Sequence, residues 1–147
     1  MVDDKIQKVA GVAQSDKRKS AQDFRLSQQA HQQKCDQLNQ LQTFKSEYEE
    51  RLKAMSEQGI AARQLQDYRQ FLGKLNQAID QQTREIGSSS VSVDSAREQW
   101  VAKTRRSSAL DQVVDQQRTQ QRQARDKAEQ RESDEQFIAR PQEPQGG

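Results

Sequence analysis

Apolar residues recur along this chain in alternating steps of three and four. The pattern is sharpest between Gln37 and Gln82, where Leu38, Leu41, Tyr48, Leu52 and Met55 lead to Gly59, and Leu65, Tyr68, Leu72, Leu75 and Ile79 follow it. Residues so spaced occupy the a and d positions of a heptad, the stripe that one helix buries against another. Two stripes joined by so short a connector predict an antiparallel hairpin within one chain. The expected fold class is therefore all-α: two long helices forming an antiparallel coiled-coil hairpin, the second helix longer than the first. The expected bounds are helix 3–57, turn 58–61 and helix 62–135 within a hairpin domain 1–136, followed by a disordered tail 137–147.

Carried backward, the phase puts Ile6, Ala13, Ser20, Ser27 and Lys34 at d and Ala10, Lys17, Phe24 and His31 at a, behind an acidic first turn at Asp3 and Asp4. The stripe is largely polar from Lys17 to Lys34, so this part should be looser, with Phe24 supplying most of its apolar area. Carried forward, steps of seven run from Leu65 through Leu72, Ile79, Ile86, Val93 and Trp100 to Ser107 and Val114. The phase persists across Gly87, Ser88, Ser89 and Ser90, which would otherwise read as a linker. One continuous helix with a weak segment is expected there, since Gly costs about 1 kcal/mol relative to Ala inside a helix.

Pairing Tyr48 with Tyr68 and Leu41 with Leu75 sets Gly87 to Ser90 opposite Gln28 and Gln29, a level at which both helices are weak and a flexible joint is expected. The same pairing sets residue 2 beside residue 114. Beyond Asp115 the second helix should then lack a partner, so that Gln116 to Arg131 projects alone, with Arg118, Arg122, Arg125, Lys127 and Arg131 outnumbering Asp126 and Glu129.

Phe44 and Phe71 fall outside the stripe. Each precedes an a position and so stands at g, and in an antiparallel pair the two g edges flank one another, which brings both rings to one edge. Along that edge lie Gln37, Leu41, Phe44 and Tyr48 of the first helix and Phe71, Leu75, Ala78 and Gln82 of the second. A two-helix hairpin has no third element to cover it, and an aromatic patch with a polar margin is typical of protein-binding surfaces.

Composition narrows the remaining choices. Hydrophobic residues make up 31%, charged residues 31% and aromatics 5%, which argues against a multilayer core. The net charge of +2, with both signs interspersed, gives little long-range attraction to nucleic acid or anionic lipid. No aromatic interleaves Arg118 to Arg131, where bases would stack, so no nucleic-acid partner is expected. With a single Cys35 and a single His31, neither a disulfide nor a zinc ligand set is available. His31 reads as a stripe residue and Cys35 as a small half-buried one, with no base placed near the thiol. No Gly-rich phosphate loop occurs, so neither a cofactor nor catalysis is expected. No segment approaches the roughly 20 apolar residues of a membrane span, and Met1 to Gln14 lacks a secretion signal, which predicts a cytoplasmic protein. From the residues alone, a binding hairpin and a plain coiled-coil spacer that buries its apolar edge by self-association both fit.

Leu38, Leu41, Phe44, Glu47, Tyr48, the turn at Gly59 and Ile60, then Leu65, Tyr68, Phe71, Leu75, Ala78, Ile79 and Gln82 together resemble the FliJ family of the flagellar type III export apparatus, as do Trp100, Lys103, Arg105 and Arg106. The resemblance implies a non-enzymatic coiled coil similar to the central stalk of rotary ATPases. Its implied partners are the flagellar export ATPase and its regulator, the cytoplasmic domain of the export-gate membrane protein FlhA, and export chaperones. Its implied location is the cytoplasmic face of the inner membrane at the flagellar base, peripherally attached. The implied gate-binding face is Gln37, Leu41, Phe44, Tyr48, Phe71, Leu75, Ala78 and Gln82, the edge already found from the phase. The stalk analogy assigns ATPase binding to Ile6, Val9, Ala13, Arg118, Arg122 and Arg125. Phe44 stands where the family can carry Tyr, and Gln82 where it can carry His. The equivalent stalk of a virulence type III secretion system is the alternative within this class.

Overall fold

A computed structural model describes residues 3–139. Two helices, α1 (Asp4–Gln58, 55 residues) and α2 (Ala62–Ala139, 78 residues), run antiparallel and account for nearly all of them. Asp3 starts α1 as its cap: its Oδ1 accepts from the Lys5 amide at 3.0 Å and its carbonyl from the Gln7 amide at 3.1 Å. Gly59 closes α1 with φ of 90°, in the left-handed region. A Cβ there would meet nothing within 4 Å, so the backbone angle alone explains the glycine.

The turn lies within one residue of its expected place. α2, however, continues through Phe137, Ile138 and Ala139, which were expected to open the tail. No proline or glycine interrupts the sequence from Ser88 to Ala139, so nothing stops the helix before Phe137. Residues 140–147 of the expected tail lie outside the described residues.

The shielded positions keep their three- and four-residue spacing from Ile6 to Met55 on α1 and from Leu65 to Gln121 on α2. The chain divides into two units: a hairpin unit, Lys19–Val101, and a terminal unit, Met1–Arg18 with Ala102–Gly147.

In the hairpin unit the polar stretch of the stripe is filled rather than open. Phe24 stacks on Trp100, centroids 5.7 Å apart and planes within 8°, and His31 Nδ1 lies 3.1 Å from Ser89 Oγ. Ser89 is buried, and α2 is unbroken through Gly87 to Ser90, so this segment belongs to the packed stripe. Ser92 and Thr83 return their hydroxyls to the carbonyls of Ser88 and Ile79, the local bond by which such residues are accommodated inside a helix.

The register differs from the expected one. Ser89 meets His31 rather than Gln28, and Trp100 meets Phe24. Near the turn the expected pairing holds, with Tyr48 against Tyr68 and Gln82 against Lys34, whereas farther from it His31 and Phe24 meet residues of α2 that lie four and eight positions beyond the expected level. The expected joint near Gln28 and Gly87 also falls inside the hairpin unit, whose limits are 18/19 and 101/102.

In the terminal unit, the Asp3 amide donates to Gln117 Oε1 at 3.4 Å. Ala13 and Ser107 are almost wholly enclosed, and Val114 is buried. α1 therefore lies beside α2 past Asp115, and the fully exposed overhang begins at Arg122 rather than Gln116. Among the described residues, no helix is long and apolar enough to cross a membrane.

Candidate functional site

Four rings form the edge of the hairpin unit. Tyr48, in the stripe of α1, has its centroid 4.8 Å from that of Tyr68 and 4.6 Å from that of Phe71. Phe44 meets Phe71 edge-on at 5.9 Å and 73°, and lies 6.2 Å from Tyr48. Edge-to-face and tilted pairs of this kind are the favoured aromatic geometries. The tyrosines are half-buried beneath, whereas Phe44 is 45% and Phe71 38% exposed. The two phenylalanines are thus held from below and keep their outer surface free.

Hydrogen bonds fasten the surroundings. The Tyr68 hydroxyl donates to Met55 Sδ at 3.1 Å. Gln82 Nε2 reaches across to α1, donating to the Lys34 carbonyl at 2.9 Å and to Gln37 Oε1 at 3.2 Å. Partial desolvation, with Tyr68 and Asp67 nearby, raises the Tyr48 phenol above its ordinary 10.0, so it remains a neutral hydroxyl at physiological pH.

All eight residues expected on this edge lie in the hairpin unit, with unequal parts. Phe44, Tyr48 and Phe71 touch one another, and Gln37 and Gln82 are bonded. Ala78 is exposed, Leu41 half-buried, and Leu75 is 7% exposed, so Leu75 supplies the floor rather than the surface. Met55 and the Lys34 carbonyl were not foreseen. The thioether was legible only as a stripe residue, and a backbone carbonyl carries no signal in the sequence.

Cys35 is half-buried, as expected, but a base does stand near it. Its Sγ lies 3.7 Å from His31 Nε2, because residues four apart share a helix face, so an imidazole does stand beside the thiol. The other ring nitrogen faces Ser89. Among the described residues, no three His, Cys, Asp or Glu side chains are grouped to hold a metal ion.

The residues expected to meet an ATPase are dispersed. Arg118 walls a shallow groove of about 540 Å³ in the terminal unit together with Gln7, Ala10, Gly11, Gln14, Asp111, Val114 and Asp115. Arg122 and Arg125 stand on the exposed overhang, Val9 is 42% exposed and Ile6 half-buried. Ala13, at 1% exposure, packs the helices together and offers no surface.

Among known families, the model described as the flagellar FliJ protein matches residues 2–143. No curated protein and no solved structure matches the chain.

Proposed function

Because the chain belongs to the flagellar FliJ family, and so is a non-enzymatic component of flagellar protein export with a stalk and chaperone-escort role, we propose that its aromatic edge docks on the export gate while its terminal unit engages the export ATPase. The observation that carries this reading is the pair Phe44 and Phe71, exposed above but packed on each other and on Tyr48, which itself rests on Tyr68. Rings already ordered lose little freedom on binding, which makes them efficient anchors. The gate partner is the cytoplasmic domain of FlhA, and Gln37 and Gln82 form the polar margin of the contact, with Ala78 a small exposed residue on the same edge. In this reading the chain is cytoplasmic and reaches the inner membrane only through its partners, which include the regulator of the ATPase and the export chaperones.

Arg118, Arg122 and Arg125 are suited to acidic loops of an ATPase ring, while Ile6 and Val9 add apolar surface elsewhere on the terminal unit and Ala13 holds the helices together. Two binding measurements test the proposal separately. Loss of FlhA binding on replacing Phe44 and Phe71 by Ala supports the edge. Charge reversal of the three arginines should weaken ATPase binding, and unchanged binding would remove them from the account.

A further inference from the structure

From Arg122 to Ala139 every position of α2 is exposed, a helical overhang of about five turns. The stripe phase nevertheless continues through Gln121, Ala124, Ala128, Arg131, Glu135 and Ile138. α1 begins at Asp4, alongside Gln117, and does not reach these positions. Isolated polar helices of this length are marginal in water, and the largest apolar surfaces of the overhang, Phe137 and Ile138, are both 81% exposed.

The order of charges indicates which helix would fit. On one side of the stripe Arg125 is followed a heptad later by Glu132, and on the other side Lys127 is followed by Asp134. Both sides thus run from basic to acidic toward the C-terminus. A copy of the same segment laid antiparallel reverses that order, so that Arg125 faces Glu132 of the second copy and Lys127 faces its Asp134, each pair occurring twice. The same alignment sets Ala128 against Arg131, Ala124 against Glu135 and Gln121 against Ile138. Small residues then lie under long stems whose charged ends reach solvent. A parallel pair would instead stack Arg131 on Arg131 and Glu135 on Glu135 within the stripe.

We infer that residues 122–139 form a self-docking segment, through which two copies of the chain pair antiparallel. Its attractions are between surface charges, so the pairing is reversible and weakened by salt. Pairing covers Arg125, and a paired chain withholds that residue from an ATPase. This consequence rests on the proposed function, whereas the pairing itself rests only on the charge order and the unpartnered stripe.

Sedimentation equilibrium of the full chain, over a range of concentrations at low and high salt, tests it. The expected result is a monomer–dimer equilibrium favoured by low salt. Arg125→Glu and Glu132→Arg should each weaken association roughly tenfold, and the double variant should recover it, a rescue that loss of helicity would not produce. A monomer at every concentration, association indifferent to Arg125→Glu, no rescue in the double variant, or loss of association in the Phe44→Ala, Phe71→Ala variant overturns the inference. ATPase binding is measured apart from self-association, so the two readings fail independently.

Discussion

Gln82 Nε2 lies 2.9 Å from the carbonyl oxygen of Lys34, so that a side chain of α2 is tied to the backbone of α1 across the seam. The same nitrogen donates to Gln37, the outer neighbour on that edge. Two bonds from one amide hold the helices at a fixed spacing beside the aromatic rings. Gln82→Ala should cost about 1 kcal/mol in urea unfolding, the usual net worth of such bonds, without loss of helicity. A variant as stable as the parent would show that the clasp adds nothing to the fold.

Gly59 should be the least replaceable position of the turn. Its φ of 90° strains any residue bearing a Cβ, although no atom stands in the way of one. Gly59→Ala should therefore destabilise the hairpin by about 1 kcal/mol in thermal or urea unfolding, and Gly59→Asn by less, since Asn tolerates this region better. Equal losses for the two would point to a steric cause instead.

Ala13 separates packing from surface in the terminal unit. It is almost wholly enclosed, at 1% exposure, and Ala13→Leu should cost about 1–3 kcal/mol through overpacking. Unchanged stability together with lost ATPase binding would return Ala13 to the partner surface.

The Tyr48 phenol is raised above 10.0 by desolvation and by Tyr68 and Asp67. Below pH 10 the folded and unfolded phenols are both protonated and the contribution to stability is complete. As the pH rises further the unfolded chain releases its proton first, so stability falls. Tyr48→Phe should lessen that alkaline loss, which unfolding titrations between about pH 8 and 11 would register; an unchanged profile would assign the loss to other groups.

The architecture was legible because a two-helix seam leaves an unbroken heptad phase, readable from Ile6 to Val114 without any tertiary information. The aromatic edge was legible for the same reason: Phe44 and Phe71 break the phase at matching positions. Register was less so. The heptad phase fixes which face is buried but not which levels of the two helices meet, so the partners of His31, Trp100 and Asp3 lie off the expected level and the overhang is shorter. The contact between Cys35 and His31 follows from simple four-residue spacing, yet it does not stand out because neither residue suggests chemistry alone. The true reach of α2 was hidden by composition, since Phe137 to Ala139 are helical yet border a Pro- and Gly-containing end.

In the proposed function the exposed phenylalanines, not the buried stripe beneath them, bind the export gate. Titration of the purified cytoplasmic domain of FlhA with the parent chain and with the Phe44→Ala, Phe71→Ala variant, both checked for helicity by circular dichroism, tests it most directly. The expected result is an affinity loss of at least about tenfold, as for removal of hot-spot anchors, with helicity retained. Equal affinity of the two chains would contradict it.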